Sequence, residues 1–267
     1  MVSFKTRLHN AALSAKSLCA TVLCLSKPRT HEKRTKLVIL DFDGTLFDTV
    51  DAIIHCFNLT FEALLPGFTP DAAEMRRLIS VGAPPEYTLQ ALQPKDSRAD
   101  TFHDEIWVRK YRELYKIHGQ ALQKPFPGAR DVLLELQKSE IPFAIISNKA
   151  AAAIKETLQR HGLSDLVDEK LIVGDPMYGE NRKPHPAGYT DVLLPRLKQR
   201  YGEDWLAKEG EVVMVGDTVT DIKFARSIGA RICWCRFGDG DKEACEKLKP
   251  DFTIEQLQDV LGLVCLQ

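Results

Sequence analysis

The chain lacks any long apolar run. Leu18 to Leu25 is too short and too interrupted to span a bilayer, and no other segment has the length or apolarity of a transmembrane helix. Charge of one sign is also missing. With 36 basic and 37 acidic residues the formal net charge is -1. That leaves no electrostatic footprint for nucleic acid and no polybasic membrane surface. The seven cysteines, Cys19, Cys24, Cys56, Cys233, Cys235, Cys245 and Cys265, are odd in number and irregularly spaced. They form no disulfide framework, and a reducing compartment fits them better. Three phosphate or acyl motifs are absent as well. No GxxxxGK followed by Ser or Thr occurs, which disfavours a Walker-type nucleotidase. No GxGxxG follows the first strand, which disfavours a dinucleotide fold, and there is no GxSxG nucleophile elbow.

What is present is organised around Leu37-Val-Ile-Leu-Asp41-Phe-Asp43-Gly44-Thr45-Leu46. Four aliphatic residues of the buried-strand kind run into a carboxylate. Asp43-Gly44 reads as a turn, and a helical pattern follows from about Asp48. Strand, acidic loop and helix in that order put functional groups at the C-terminal edge of a parallel sheet. Two carboxylates so close repel each other unless a cation or a phosphate-binding role offsets the repulsion.

Before this stretch, residues 1–36 carry eight Lys or Arg and one acid, Glu32. This basic leader reads as disordered or targeting, with a transit peptide, a poor secretory signal and a loose tail all compatible. A cytoplasmic location is expected, or a mitochondrial one if residues 1–30 are a transit peptide.

From Asp48 to Leu122 the pattern is all helical. Val50, Ile53, Ile54, Phe57, Phe61, Leu64 and Leu65 mark one amphipathic face. Thr69-Pro70 is placed to cap and open a second helix, and Pro85 to open a third, after the stiff loop Val81 to Pro85. A long helix runs from Phe102 to His118, closed by Gly119. His103 and His118 have no metal-ligand spacing. Residues 48–122 thus form a helical insert in an α/β core made of residues 37–47 and 123–267.

The core alternates strand and helix. Strands are predicted at Leu37–Leu40, Ile141–Ile146, Lys170–Val173, Glu211–Val215 and Ala230–Cys235, five in all. The expected architecture is a Rossmann-like open parallel sheet with helices on both faces. Pro195 is expected to kink or split the helix that follows Pro186. Cys233 and Cys235 alternate onto one strand face and read as a core thiol pair.

Three strand ends carry polar groups: Asp41 and Asp43, Ser147 and Asn148, and Asp217 with Asp221 one helical turn on. Lys183 lies in a connecting loop. Each alone is compatible with a solvated loop. Together they suit a divalent cation and a phosphate. Oxygen-only ligands fit Mg²⁺, and the absence of paired His or Cys ligands argues against zinc. A carboxylate can attack phosphorus. A second can protonate the leaving alcohol and then take a proton from water. Asp41 and Asp43 can supply both roles from one loop.

Four motifs in order complete the picture. Asp41-Phe-Asp43-Gly44-Thr45-Leu46, Ser147-Asn148-Lys149, Lys183-Pro184-His185-Pro186 and Gly216-Asp217-Thr218-Val219-Thr220-Asp221 resemble those of the haloacid dehalogenase-like hydrolase superfamily, across residues 37 to about 262. The resemblance implies that Asp41 is the nucleophile and Asp43 the acid/base. It implies Mg²⁺ on the Asp41 carboxylate, the Asp43 main-chain carbonyl and Asp217. Ser147 and the Asn148 N–H would bind the phosphoryl group, with Lys183 neutralising it. Asp221 would orient metal-bound water or Lys183. The insert resembles the family's helical cap, and Ser-Asn-Lys is similar to phosphoglycolate phosphatase-like members. The superfamily's dehalogenases lack the second aspartate, so Asp43 favours phosphoester chemistry. The implied function is a Mg²⁺-dependent phosphatase acting on a small phosphorylated metabolite such as phosphoglycolate or a sugar phosphate. A sugar-phosphate mutase and a non-catalytic interaction protein on the same scaffold are the alternatives. Arg76, Arg77, Arg109 and Lys110 are candidates for recognising a substrate carboxylate.

Overall fold

The structure, a computed structural model, describes residues 34–94, 104–174 and 181–264. Residues 1–33 of the leader, Phe102, His103, Asp175-Pro176 and Cys265 lie outside them, and so does Lys95. In chain order the elements are β1 (Leu37–Leu40), β2 (Phe47–Asp48), α1 (Val50–Leu64), α2 (Ala72–Ser80), α3 (Pro85–Ala91) and α4 (Asp104–Leu114), which runs into a π-helical turn, Tyr115–Gly119. Then come β3 (Lys124–Pro125), α5 (Ala129–Lys138), β4 (Phe143–Ile146), α6 (Ala151–Arg160), β5 (Ile172–Val173) and a second π-helical turn, Gly188–Leu193, continuous with α7 (Leu194–Tyr201). β6 (Val212–Gly216), α8 (Val219–Ser227), β7 (Arg231–Cys235), α9 (Lys242–Lys247), β8 (Phe252–Ile254) and α10 (Val260–Val264) complete the described chain.

Six strands form one parallel sheet in the order β5-β4-β1-β6-β7-β8. β1 is central because every residue of it is apolar and both faces are covered. Val38 and Leu40 enter one hydrophobic cluster with Val132, Leu133 and Ile254. Leu37 and Ile39 enter the other with Leu193, Phe224 and Trp234. Period-two alternation sends neighbouring side chains to opposite faces. Each such aliphatic contributes about 2 kcal/mol by leaving water. The chain order reverses on either side of β1. The crevice at its C-terminal end is therefore a topological switch point, where open α/β sheets bind ligands.

Five strands were expected in this sheet and six are found among the described residues, with β2 and β3 pairing separately. β8 escaped the pattern because it is three residues long and only half buried. Its register is held at the adjacent Asp251, whose Oδ2 accepts from Ile232 N at 2.8 Å. The predicted strand at Lys170 is shorter, since Glu169–Leu171 is a 3₁₀ turn. Pro195 does not break its helix. It sits in the first turn of α7, after a π turn, and Leu197 is fully buried beyond it. The first turn of a helix leaves N–H groups free anyway, so Pro is tolerated there. α2 begins two residues later than expected, with Asp71 as its cap and Asp71 Oδ1 accepting from Glu74 N at 2.7 Å.

Helices α1 to α4 carry a hydrophobic cluster of their own. Phe57 stacks on Tyr111 with ring centroids 4.5 Å apart, and Phe61 meets Trp107 at 5.0 Å. Cys233 and Cys235 are free and buried in the first sheet cluster, as their alternation implied. Among the described residues no helix is long and apolar enough to cross a membrane.

Candidate active site

Asp41 follows β1 directly, and its N–H donates to Val215 O at 2.9 Å. The nucleophile candidate is thereby tied to the end of β6, which delivers Asp217. Gly44 closes the loop between them. Its φ is +72°, and a Cβ there would lie 2.2 Å from Asp217 Oδ2. Only glycine fits both the backbone angle and the close approach.

The carboxylates of Asp41, Asp217 and Asp221 offer oxygens that all lie within 4.8 Å of one another, and all three residues are buried. Lys183 answers part of this charge. Its Nζ is 2.8 Å from Asp41 Oδ1 and 2.6 Å from Asp221 Oδ1. The contact with Asp41 is an ion pair without a directed hydrogen bond on that oxygen. Burial and the Asp221 charge push the Asp41 carboxyl up to about 7, while Lys183 pulls it down. Asp217 is raised well above the carboxylate range by burial and then by Asp221 and Asp41. Burial disfavours the Lys183 ammonium, but Asp221 and Asp41 together more than offset this and raise its pKa.

Three buried carboxylates against one ammonium leave an excess of negative charge. An oxygen-ligating divalent cation would remove it, and no histidine or thiol belongs to the cluster. The donor set thus fits Mg²⁺. Asp217 is pre-set for such a role. Its Oδ2 accepts from Asp239 N at 2.9 Å and Gly240 N at 3.2 Å, and its Oδ1 from Thr45 Oγ1 at 3.3 Å. Asp221 is more committed. One oxygen meets Lys183, and the other accepts from Thr218 N and Thr218 Oγ1 in a capping box that starts α8.

Asp43 stands apart from this cluster. Its Oδ1 pairs with Lys149 Nζ at 2.9 Å. The same ammonium donates to Tyr115 Oη at 2.8 Å and lies 4.4 Å from the Tyr115 ring centre. Ser147 follows β4, with its N–H bonded to Val173 O. The Asn148 side chain does not face the cluster as a ligand. It holds the Lys183 backbone, accepting from Lys183 N at 2.9 Å and donating to Lys183 O at 3.1 Å.

A cavity of about 360 Å³ opens over these groups. Asp41, Asp43, Ser147, Asn148, Lys183 and Asp217 all border it. Asp221 lies behind Lys183 and does not. The helical segment supplies the opposite wall through Ile53, Phe57, Ile79, Tyr111 and Tyr115, together with Gly82 to Pro85.

The four basic residues suggested for substrate recognition are elsewhere. Arg76, Arg77, Arg109 and Lys110 do not border the cavity. Arg77 pairs with Glu74 and Lys110 with Glu113 along their own helices. Arg112 and Lys116 border it instead. Lys149, the last residue of the Ser147-Asn148-Lys149 motif, also borders the cavity. Asp239 and Gln120 carried no signal at all. Burial, then Asp48, Asp43 and Asp51, raise the Asp239 carboxyl to about 6.

The model of the haloacid dehalogenase-like hydrolase family matches residues 38–235. The chain belongs to this family. A Halalkalibacterium halodurans protein named pyrophosphatase PpaX is 27% identical over 229 residues, covering 85% of this chain and 95% of that protein. A phosphoglycolate phosphatase of Vibrio vulnificus is 25% identical over 238 residues, covering 87% and 97%. Among solved structures, a haloacid dehalogenase-like family hydrolase from Streptococcus pneumoniae superposes with a TM-score of 0.68 at 25% identity, covering 86% of this chain and 98% of that one. The fold and the family therefore agree.

Proposed function

We propose that the chain is a Mg²⁺-dependent phosphatase that hydrolyses a small phosphate monoester through an aspartyl-phosphate on Asp41. The observation that carries this reading is the grouping of Asp41, Lys183 and Asp217 at the end of β1 and β6, beneath a cavity also bordered by Asp43 and Ser147. The names of relatives point the same way, to phosphoglycolate and pyrophosphate as the esters and anhydrides they hydrolyse.

In this reading an Asp41 carboxylate oxygen attacks phosphorus, and the bond from phosphorus to the alcohol oxygen breaks. Asp43 gives its proton to that oxygen. Asp43 then accepts a proton from water as the water oxygen attacks phosphorus, and the bond to Asp41 breaks. Phosphate leaves and Asp41 is restored. Lys183 lies beside Asp41 throughout, and its charge offsets the approach of one anion to another. Ser147 Oγ and the main-chain N–H groups of its loop hold phosphoryl oxygens. Asp41, the Asp43 carbonyl and Asp217 would hold Mg²⁺, with Asp221 orienting Lys183. Bound there, the ion supplies Lewis-acid stabilisation of the phosphoryl oxygens. The segment 48–122 acts as a cap that excludes water from the reacting atoms, the core being 37–47 and 123–267.

The test is phosphate release from a panel of phosphorylated metabolites by the full chain, with and without Mg²⁺. Metal-dependent release supports the reading. Absence of release from every ester, with Mg²⁺ shown to bind, would exclude it and favour a non-catalytic scaffold.

A further inference from the structure

The cavity wall away from the carboxylates holds one polar side chain whose orientation is decided by its neighbours. Gln120 ends the π-helical turn, where the chain returns from the helical segment to the sheet. It is buried, with 2% of its surface exposed, and it borders the cavity. One end of its carboxamide lies 2.8 Å from Thr157 Oγ1 and 2.8 Å from the Gln123 carboxamide. The other end has no hydrogen-bond partner among the described residues and is not sealed from open space.

Which end is which follows from proton accounting. Thr157 has a single hydroxyl proton. With both amide oxygens toward it, that hydroxyl faces three acceptors: Ala153 O at 2.8 Å, Gln120 Oε1 at 2.8 Å and Gln123 Oε1 at 3.3 Å. One proton cannot serve all three. Amide oxygen and nitrogen occupy the same space, so each carboxamide can be turned end for end without moving an atom. With both turned, every contact is satisfied. Thr157 donates to Ala153 O, one helical turn back. Gln120 donates one N–H to Thr157 Oγ1 and the other to the Gln123 oxygen. Gln123 donates to Thr157 Oγ1. A buried network with every member paired is the stable one. It leaves the Gln120 carbonyl oxygen facing the cavity.

We propose that Gln120 is a specificity residue whose carbonyl oxygen accepts a hydrogen bond from a hydroxyl of the leaving alcohol, so that a polyol or sugar phosphate is preferred over its carboxylated counterpart. This rests on the phosphatase reading of the same site. An acceptor oxygen in a wall attracts a hydroxyl and repels a carboxylate. Lys149 does not reverse this, because it is already engaged by Asp43 and Tyr115, and Lys183 is held by Asp41 and Asp221. Ile53, Phe57, Ile79 and Pro84 make part of the remaining wall apolar and suit the C–H face of a carbon chain, while Arg112 and Lys116 also border the cavity, so the Gln120 variants are what isolate its contribution. A cavity of about 360 Å³ also has room for more than a two-carbon acid. The substrate class therefore differs from those in the names of the relatives, whose leaving groups, glycolate and phosphate, are anionic.

The experiment compares kcat/KM for matched esters, using the full chain with Mg²⁺. Glycerol 3-phosphate and 3-phosphoglycerate differ only in a terminal CH₂OH against a carboxylate. Glucitol 6-phosphate and 6-phosphogluconate differ in the same way. An aryl phosphate, with no hydroxyl to offer, is the control. The unaltered protein should prefer the alcohol of each pair by about ten-fold or more. Gln120→Leu should lower turnover of the alcohol esters about ten-fold and leave the aryl phosphate nearly unchanged. Gln120→Glu keeps the shape and adds charge, and should widen the preference. It also serves if the leucine variant does not fold. Preference for the carboxylate esters, or a ratio unmoved in these variants while the aryl phosphate is still hydrolysed, overturns the assignment of Gln120 alone. Failure to hydrolyse even the aryl phosphate overturns the phosphatase reading and this inference with it.

Discussion

Asn148 grips Lys183 by its backbone. Both ends of one carboxamide are used, Oδ1 on Lys183 N and Nδ2 on Lys183 O, across 35 positions of sequence. The pair sets where the Lys183 ammonium can reach. Asn148→Ala should therefore behave like a displaced lysine, with kcat/KM falling on the order of ten- to a hundred-fold. Each lost bond also costs about 1 kcal/mol of stability. Asn148→Asp should be worse than alanine, because it sets a carboxylate oxygen against the Lys183 carbonyl. Steady-state kinetics and denaturant midpoints of the two variants check this order.

Asp41→Asn should abolish turnover, since the amide is not a nucleophile and little volume changes. It should also remove a pH dependence of stability. The Asp41 carboxyl is raised from 3.8 to about 7 in the folded, metal-free chain. Near pH 4 and below, folded and unfolded states both hold the proton and nothing is lost. As pH rises toward about 7 the unfolded chain releases it first, so the folded state becomes relatively less stable. The difference is complete above about 7. The asparagine variant should accordingly gain on the unaltered protein across this window, on the order of 1 kcal/mol per pH unit. Unfolding midpoints in chelator at a series of pH values measure it. A constant difference would contradict the buried, charge-crowded placement of Asp41.

The same crowding predicts a response to metal. Mg²⁺ should raise the unfolding temperature and a chelator should lower it and stop phosphate release. Gly44→Ala should suppress both responses, because its Cβ would press on Asp217 at 2.2 Å in a backbone angle that side chains avoid. Calorimetric titration with Mg²⁺ gives the affinity of each. Full retention of binding in the alanine variant would show that the loop gives way.

Lys149 and Tyr115 separate two effects. Lys149→Met leaves Asp43 without its cation and should lower kcat about ten-fold or more. Tyr115→Phe removes only the hydroxyl and keeps the Lys149–Asp43 pair, so kcat should stay within about three-fold. Equal losses in the two variants would mean that the tyrosine hydroxyl, not the ion pair, holds Asp43 in place.

The strands that build the site were legible because each is an aliphatic run ending in a polar pair. β1, β4 and β6 carry Asp41, Ser147 and Asp217 straight to the crevice. β8 was not legible, since three residues beside Pro250 and Asp251 carry no period and its pairing is decided by β7. Pro195 misled for a related reason, as a π turn before it removes the steric conflict that a regular helix would create. The recognition wall was beyond reach. Arg76 and Arg109 have the right charge for a substrate anion, but helix rotation turns them away from the cavity. Gln120 matters only through Thr157, which is 37 residues away.

The capping box at the start of α8 makes one carboxylate answer for two things. Asp221 closes the first turn of α8 on Thr218 and, through its other oxygen, fixes Lys183. Fraying of that single turn releases the lysine at the same moment. Helix ends open far more often than whole proteins unfold. On gentle heating, activity should therefore fade reversibly while the sheet and its two hydrophobic clusters are still intact, so that loss of activity precedes the global melting point.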